Sequence, residues 1–212
     1  MLYHLSISFV AWNIFNLFIM SLTLPDKHLK RDDYLDMRNR MVSFVHGVIA
    51  VTLSTYNYYF LPGECGQPNT KLEEIILLNS GGYFAYDFVV MAYFGILDFG
   101  MFFHHLICIL GIFISLNQDV AATHIIAGLF ISELSNAPMH SRIIIKHFGL
   151  RYTKLYELLE LMYITLYFYG RVILGTGIVF RCVTCSANDP LVKFICIGIT
   201  LQSYYYISIM WS

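Results

Sequence analysis

"SGGYFAYDFVVMAYFGILDFGMFFHHLICILGIF", residues 80–113, decides the class of fold. Apart from Asp87, Asp98 and the pair His104–His105, it reads as material that crosses a membrane. An ionisable side chain at membrane depth is costly, and one that is kept there is paired or used. The stretch therefore predicts a helical bundle with a polar interior, and the rest of the chain can be read outward from it.

The whole sequence is 58% hydrophobic, 17% aromatic and only 13% charged, against roughly 25% charged in soluble domains, and its mean hydropathy is +0.63. These values predict an all-α, polytopic integral membrane protein. Its 212 residues allow about six or seven spans of roughly 20 residues and no separate soluble domain, so residues 1–212 are expected to form one membrane domain. The apolar runs place seven spans near residues 2–24, 41–61, 75–97, 101–116, 120–138, 155–180 and 191–211. The fourth is short, which leaves a six-span arrangement open. A net charge of −1 gives no electrostatic basis for a nucleic-acid partner.

Charge asymmetry orients the spans, because cytoplasmic loops collect Lys and Arg. Lys27, Lys30, Arg31, Arg38 and Arg40 cluster before the second span; Arg142, Lys146, Arg151 and Lys154 lie between the fifth and sixth. Seven spans put both clusters on one side, with the N-terminus on the other. The opening "MLYHLSISFVAWNIFNLFIM" lacks a basic n-region and a small-residue cleavage motif, so a retained first span is expected. Cys65, Cys182 and Cys185 fall opposite the basic loops. In an oxidising compartment Cys65 could pair with Cys182 or with Cys185, the alternative being free thiols.

Depth counting at about 1.5 Å per residue places His46, Asp87, His104 or His105, and Glu133 on four different helices in the cytoplasmic half of the bundle. Such convergence predicts a polar chamber opening to the cytosol. Adjacent helical residues point about 100° apart, so one histidine of the pair is expected to face the chamber centre while the other orients it. His105, on a stripe with residues 101 and 108, is the one preferred here. Arg171 is a further chamber candidate. No metal or cofactor is expected: there is no HExxH pattern and no Gly-rich phosphate loop after a strand.

"RNRMVSFVHGV", "GGYFAYDFV", "FFHHLICILG", "ELSNAPMHSR" and "FYGRVIL" together resemble the successive signature blocks of the TLC domain, over about residues 38–212. That membrane family includes ceramide synthases, translocation-associated membrane proteins and TLC-domain proteins of uncertain activity. The resemblance implies a bundle of six or seven helices around a lipid-accessible cavity in endoplasmic-reticulum or related membranes. It puts Arg38 or Arg40, Ser43, His46, Gly82, Tyr83, Asp87, His104, His105, Glu133, Ser135 and Arg171 at signature positions. Ceramide synthases use a paired histidine and downstream aspartates on an acyl-coenzyme A and a long-chain amine. Here the pair is present, but residues 126–140 hold Glu133 and no Asp, which is more similar to the non-synthase branch.

Three functions follow as expectations. The first is lipid handling, in trafficking, sensing or membrane-composition control, with membrane lipids as partners. The second is a non-catalytic subunit of a larger membrane complex, in the endoplasmic reticulum or another organelle. The third is acyl-coenzyme A-dependent N-acyl transfer, in which a histidine takes a proton or becomes acylated.

Overall fold

The apolar runs become helices, and three of them begin at side-chain caps supplied by Thr70, Asp98 and Thr153. The computed structural model describes residues 1–24 and 29–211; Lys27, counted above with the first basic cluster, lies outside the described residues. The order is α1 (Leu2–Ser21), α2 (Arg31–Phe60), α3 (Lys71–Phe94), α4 (Phe99–Gln118), α5 (Ala122–Glu133), α6 (Asn136–His147), α7 (Lys154–Phe168), a π-helical turn (Tyr169–Leu174), α8 (Gly175–Thr184) and α9 (Pro190–Trp211). At the head of α3, Thr70 Oγ1 accepts from the Glu73 N–H at 3.3 Å while Glu73 Oε2 accepts from the Thr70 N–H at 2.8 Å. This reciprocal capping box satisfies two otherwise orphaned donors. The same helix stops at Gly95, whose φ of 73° is left-handed and costs a glycine little.

Among the described residues, five segments are long and apolar enough to cross a membrane: α1, α3, α4, the continuous run Lys154–Thr184 through the π turn, and α9. Helices α2 and α5 miss that standard for different reasons. α2, with 30 residues, begins ten residues before the predicted span and is the more polar, burying Arg38, Asn39, Ser43, His46, Ser54 and Asn57. It can carry them because it packs against α1, α3, α5 and α6, which cover its polar face. The predicted fifth span, 120–138, is broken: α5 is only 12 residues long and the chain turns at Leu134–Ser135 into α6. Pro138 lacks the N–H that would bond the Leu134 carbonyl, so the helical ladder cannot continue through this point.

Side-chain contacts sort the ends into two faces. On one, Asp36 at the start of α2 lies 3.9 Å from His147 at the end of α6, and Arg38 at the same end donates to the last carbonyls of α1, Ile19 O and Leu22 O. That guanidinium satisfies helix-terminal acceptors and carries the sign the C-terminal dipole favours. On the other, Gln118 donates to Asp189 at 2.8 Å and a disulfide joins Cys65 to Cys185. The described cations Lys30, Arg31, Arg38, Arg40, Arg142, Lys146, Arg151 and Lys154 belong to the first face, whereas Lys71, Arg181 and Lys193 belong to the disulfide face.

The main core gathers Trp12, Val42, Ile76, Leu77, Tyr83, Phe84, Tyr86 and Ile126 where α1, α2, α3 and α5 meet. Gly82 sets how closely α1 approaches α3. A Cβ there would stand 2.8 Å from the Phe9 backbone nitrogen, so only glycine lets the two backbones lie together. Ser8 Oγ and Trp12 Nε1 then both donate to the Asn79 carbonyl at 3.3 Å.

Candidate functional site

Helix α2 carries Asp36, Asn39, Arg40 and Ser43 at a spacing of three and four residues, and so on one face. That face bounds a cavity of about 360 Å³, in the range of small-molecule sites. Helices α3 and α4 add Tyr83, Phe84, Asp87, His104 and His105; α5 and α6 add Glu133, His140 and Arg142; α7, the π turn and α9 add Tyr163, Tyr167, Arg171 and Ser203. Asp36, Arg40, Asp98 and Arg142 also line it. Three helices and the π turn thus bring Asp87, His104, His105, Glu133 and Arg171 to one wall system.

Asp87 is the centre of a closed network. Its Oδ1 accepts from Asn39 Nδ2 at 2.6 Å and its Oδ2 from His105 Nε2 at 2.7 Å. Asn39 Oδ1 in turn accepts from the Tyr86 hydroxyl at 3.0 Å. The other ring nitrogen of His105, Nδ1, faces the Met101 carbonyl at 2.7 Å. Both nitrogens of this ring therefore face acceptors, and an imidazole that donates twice is an imidazolium. With Asp87 ionised, His105 holds a charge-assisted pair and offers no lone pair to a ligand.

That reverses the preference for His105 over its neighbour. His105 is 1% exposed and fixed at both nitrogens, whereas His104 is half-buried and its Nε2 has only the Cys108 thiol, at 3.8 Å. His104 is the ring with a nitrogen left to face a ligand, and His105 belongs to the scaffold. His46 is not among the residues that line the cavity. It is fully buried and stacks face to face on the cavity residue Tyr83, with centroids 3.7 Å apart and planes within 6°. Its Nε2 lies 3.3 Å from Ser80 Oγ and its Nδ1 3.8 Å from Glu133 Oε2. His46 thus supports Tyr83 and Glu133 from behind and is not itself on the wall. Glu133 accepts from Asn136 Nδ2 at 2.9 Å.

Arg171 reaches the cavity from the π turn. Insertion of a residue into a helix shifts every following side chain around the axis, and such turns recur at functional sites. The guanidinium donates from Nη1 to Ser203 Oγ at 2.9 Å and from Nη2 to the Ser132 carbonyl at 3.2 Å. It also lies 5.3 Å from the Tyr167 ring centre. Gly170 makes this possible, since a Cβ there would meet the Ile131 carbonyl at 3.0 Å and push the turn off α5.

A model of the TLC domain matches residues 36–212 of the chain. The chain belongs to the TLC-domain family. The matched region of this TLC-domain protein starts within α2 and contains every residue lining the cavity.

Several wall residues of this TLC-domain protein escape a search for isolated intramembrane charges: Asn39, Ser43, His140, Arg142, Tyr163, Gln202 and Ser203. The polar stripe of α2 and the "QS" at residues 202–203 inside an apolar span were the available signals. Of the three cysteines opposite the basic loops, Cys65 and Cys185 are joined. Cys182 is buried with its sulfur 3.0 Å from that of Cys196.

Proposed function

We propose that this TLC-domain protein handles lipid as a member of the non-synthase branch, seating a lipid headgroup among the polar wall residues of the cavity while the acyl chains run out among its aromatic and Met residues. The observation that carries this reading is the composition of one cavity: Asp87, His104, Glu133 and Arg171 share it with Tyr83, Phe84, Met91 and Met101. At about 360 Å³ it suits a headgroup or part of an acyl chain and is too small for a whole two-chain lipid. The branch assignment is supported by Asp87 being held by Asn39 and His105 and by the absence of Asp from residues 126–140. A disulfide face opposite a basic face favours a membrane of the endoplasmic reticulum or a related compartment, with the cavity toward the cytosol.

The test is lipid mass spectrometry on protein extracted with its surrounding bilayer. Wild-type protein should retain one lipid class above its bulk abundance. Ser43→Phe, which places a ring in the cavity, should lose that enrichment while accumulating normally. A bulk-like lipid profile in the wild type would defeat the proposal.

One observation favours acyl transfer as a second reading, namely the uncommitted ring nitrogen of His104. In that scheme the imidazole attacks an acyl thioester, the thiolate leaves with the ring N–H proton, and an amine then takes the acyl group while its own proton returns to the ring nitrogen. Incubation with an acyl-coenzyme A, followed by peptide mass analysis, should find an acylated His104. An unmodified peptide that contains His104 rules it out.

A further inference from the structure

We infer that Arg171 is the binding residue for an anionic group, a phosphate in the first instance, on the lipid held in the cavity. This rests on the lipid-handling reading and specifies its ligand. The carboxylates of the wall are already engaged: Asp87 with Asn39 and His105, Glu133 with Asn136, Asp36 with Arg40 at 2.7 Å, and Asp98 with the Met101 N–H at 2.8 Å. The other wall arginines follow the same pattern, Arg40 pairing with Asp36 and Arg142 with Glu160 at 2.7 Å. Arg171 differs. Among the described residues no carboxylate lies within ion-pair distance of it, and its partners are a hydroxyl, a carbonyl and a ring, all neutral.

A guanidinium has five N–H donors. Two are used here, so three remain, and the fork is fixed in position by Ser203 and Ser132 before any ligand arrives. A cation whose direct partners are all neutral is costly in a low-dielectric site, and an anion supplied from outside lowers that cost. A second observation points the same way. The buried polar atoms of wall residues that lack a hydrogen-bond partner among the described residues are Arg171 Nε, Arg142 Nε and His140 Nδ1. All three are nitrogens, two of them obligatory donors, and no wall oxygen is in this state. What the wall lacks is acceptors. A phosphate supplies several, and any two of its oxygens match the spacing of an arginine fork.

The test uses the purified protein in phosphate-free detergent buffer, with phosphatidic acid and diacylglycerol of identical chains as probes and native mass spectrometry as the readout. Wild type should bind phosphatidic acid at least about tenfold more tightly, as expected for hydrogen bonds to a charged group. Arg171→Gln should bind the two equally. A preference that survives in Arg171→Gln, or equal binding in the wild type, overturns the assignment. If Arg171→Gln does not accumulate, Arg171→Lys stands in: it keeps the charge, loses the fork and lowers the ratio several-fold, and an unchanged ratio overturns the assignment. Inorganic phosphate forms a separate arm. If the wild type retains neither lipid, the lipid-handling reading fails, whereas stabilisation by inorganic phosphate that Arg171→Gln abolishes keeps the anion site and assigns it to a soluble phosphate.

Discussion

Replacing Asp87 by Asn keeps its volume and removes its charge, so it isolates the buried pair with His105. Asp87 is 3% exposed and both of its oxygens accept from donors, Asn39 Nδ2 at 2.6 Å and His105 Nε2 at 2.7 Å. A carboxamide has only one acceptor oxygen, so its NH2 must face one of those two donors. One contact is lost whichever way it turns, and the imidazolium is left without its counter-charge. Hydrogen bonds to charged groups contribute about 1.5–3 kcal/mol each, and breaking a buried pair costs about 3–5 kcal/mol. Asp87→Asn should therefore destabilise by about 3 kcal/mol in equilibrium unfolding from mixed micelles. His105→Gln retains a donor near the Nε2 position but carries no charge, so in that background Asp87→Asn should cost much less. The double-mutant cycle should give a coupling of about 2 kcal/mol or more, well above the ~0.6 kcal/mol typical of a neutral contact between membrane helices. A coupling of ~0.6 kcal/mol or below would show that the two groups form no charged pair, and the assignment of His105 to the scaffold would fall with it.

Two other expectations follow from particular contacts. Gly170→Ala places a methyl 3.0 Å from the Ile131 carbonyl and should cost about 1–3 kcal/mol by overpacking, whereas Gly177→Ala, with nothing within 4 Å, should be neutral or slightly stabilising in the same unfolding assay. Single cysteines introduced at Tyr152, which is 91% exposed in the loop before α7, and at Gly66, beside the disulfide, should react with impermeant maleimide from opposite sides of sealed vesicles. Labelling from the same side would overturn the two-face arrangement.

Hydropathy determines an all-α membrane bundle, because continuous apolar runs of about 20 residues fit helices, whereas a barrel, the other way to satisfy a backbone in lipid, needs short alternating segments. The Lys and Arg distribution likewise separates the two faces, since it depends on counting charges between apolar runs and on no contact. The TLC signature blocks mark Asp87, His104, Glu133 and Arg171 as a set for a related reason: an isolated polar residue is conspicuous against an apolar background. The roles within that set were decided by tertiary structure. Nothing local to "FFHHL" says which histidine is locked, because the answer lies in an Asp87 oxygen from α3 and in the carbonyl of Met101 one turn earlier. His46 looks like a chamber residue by depth, and only the stacking of Tyr83 over it places it behind the wall. The break at Leu134–Ser135 has a local cue in Pro138, but the π turn at Tyr169–Leu174 has none that periodicity can detect. It is set by how closely Gly170 can approach the α5 backbone. Depth along a helix is a one-dimensional property and can be read from sequence, whereas direction around the axis and the choice of partner depend on atoms contributed by other helices.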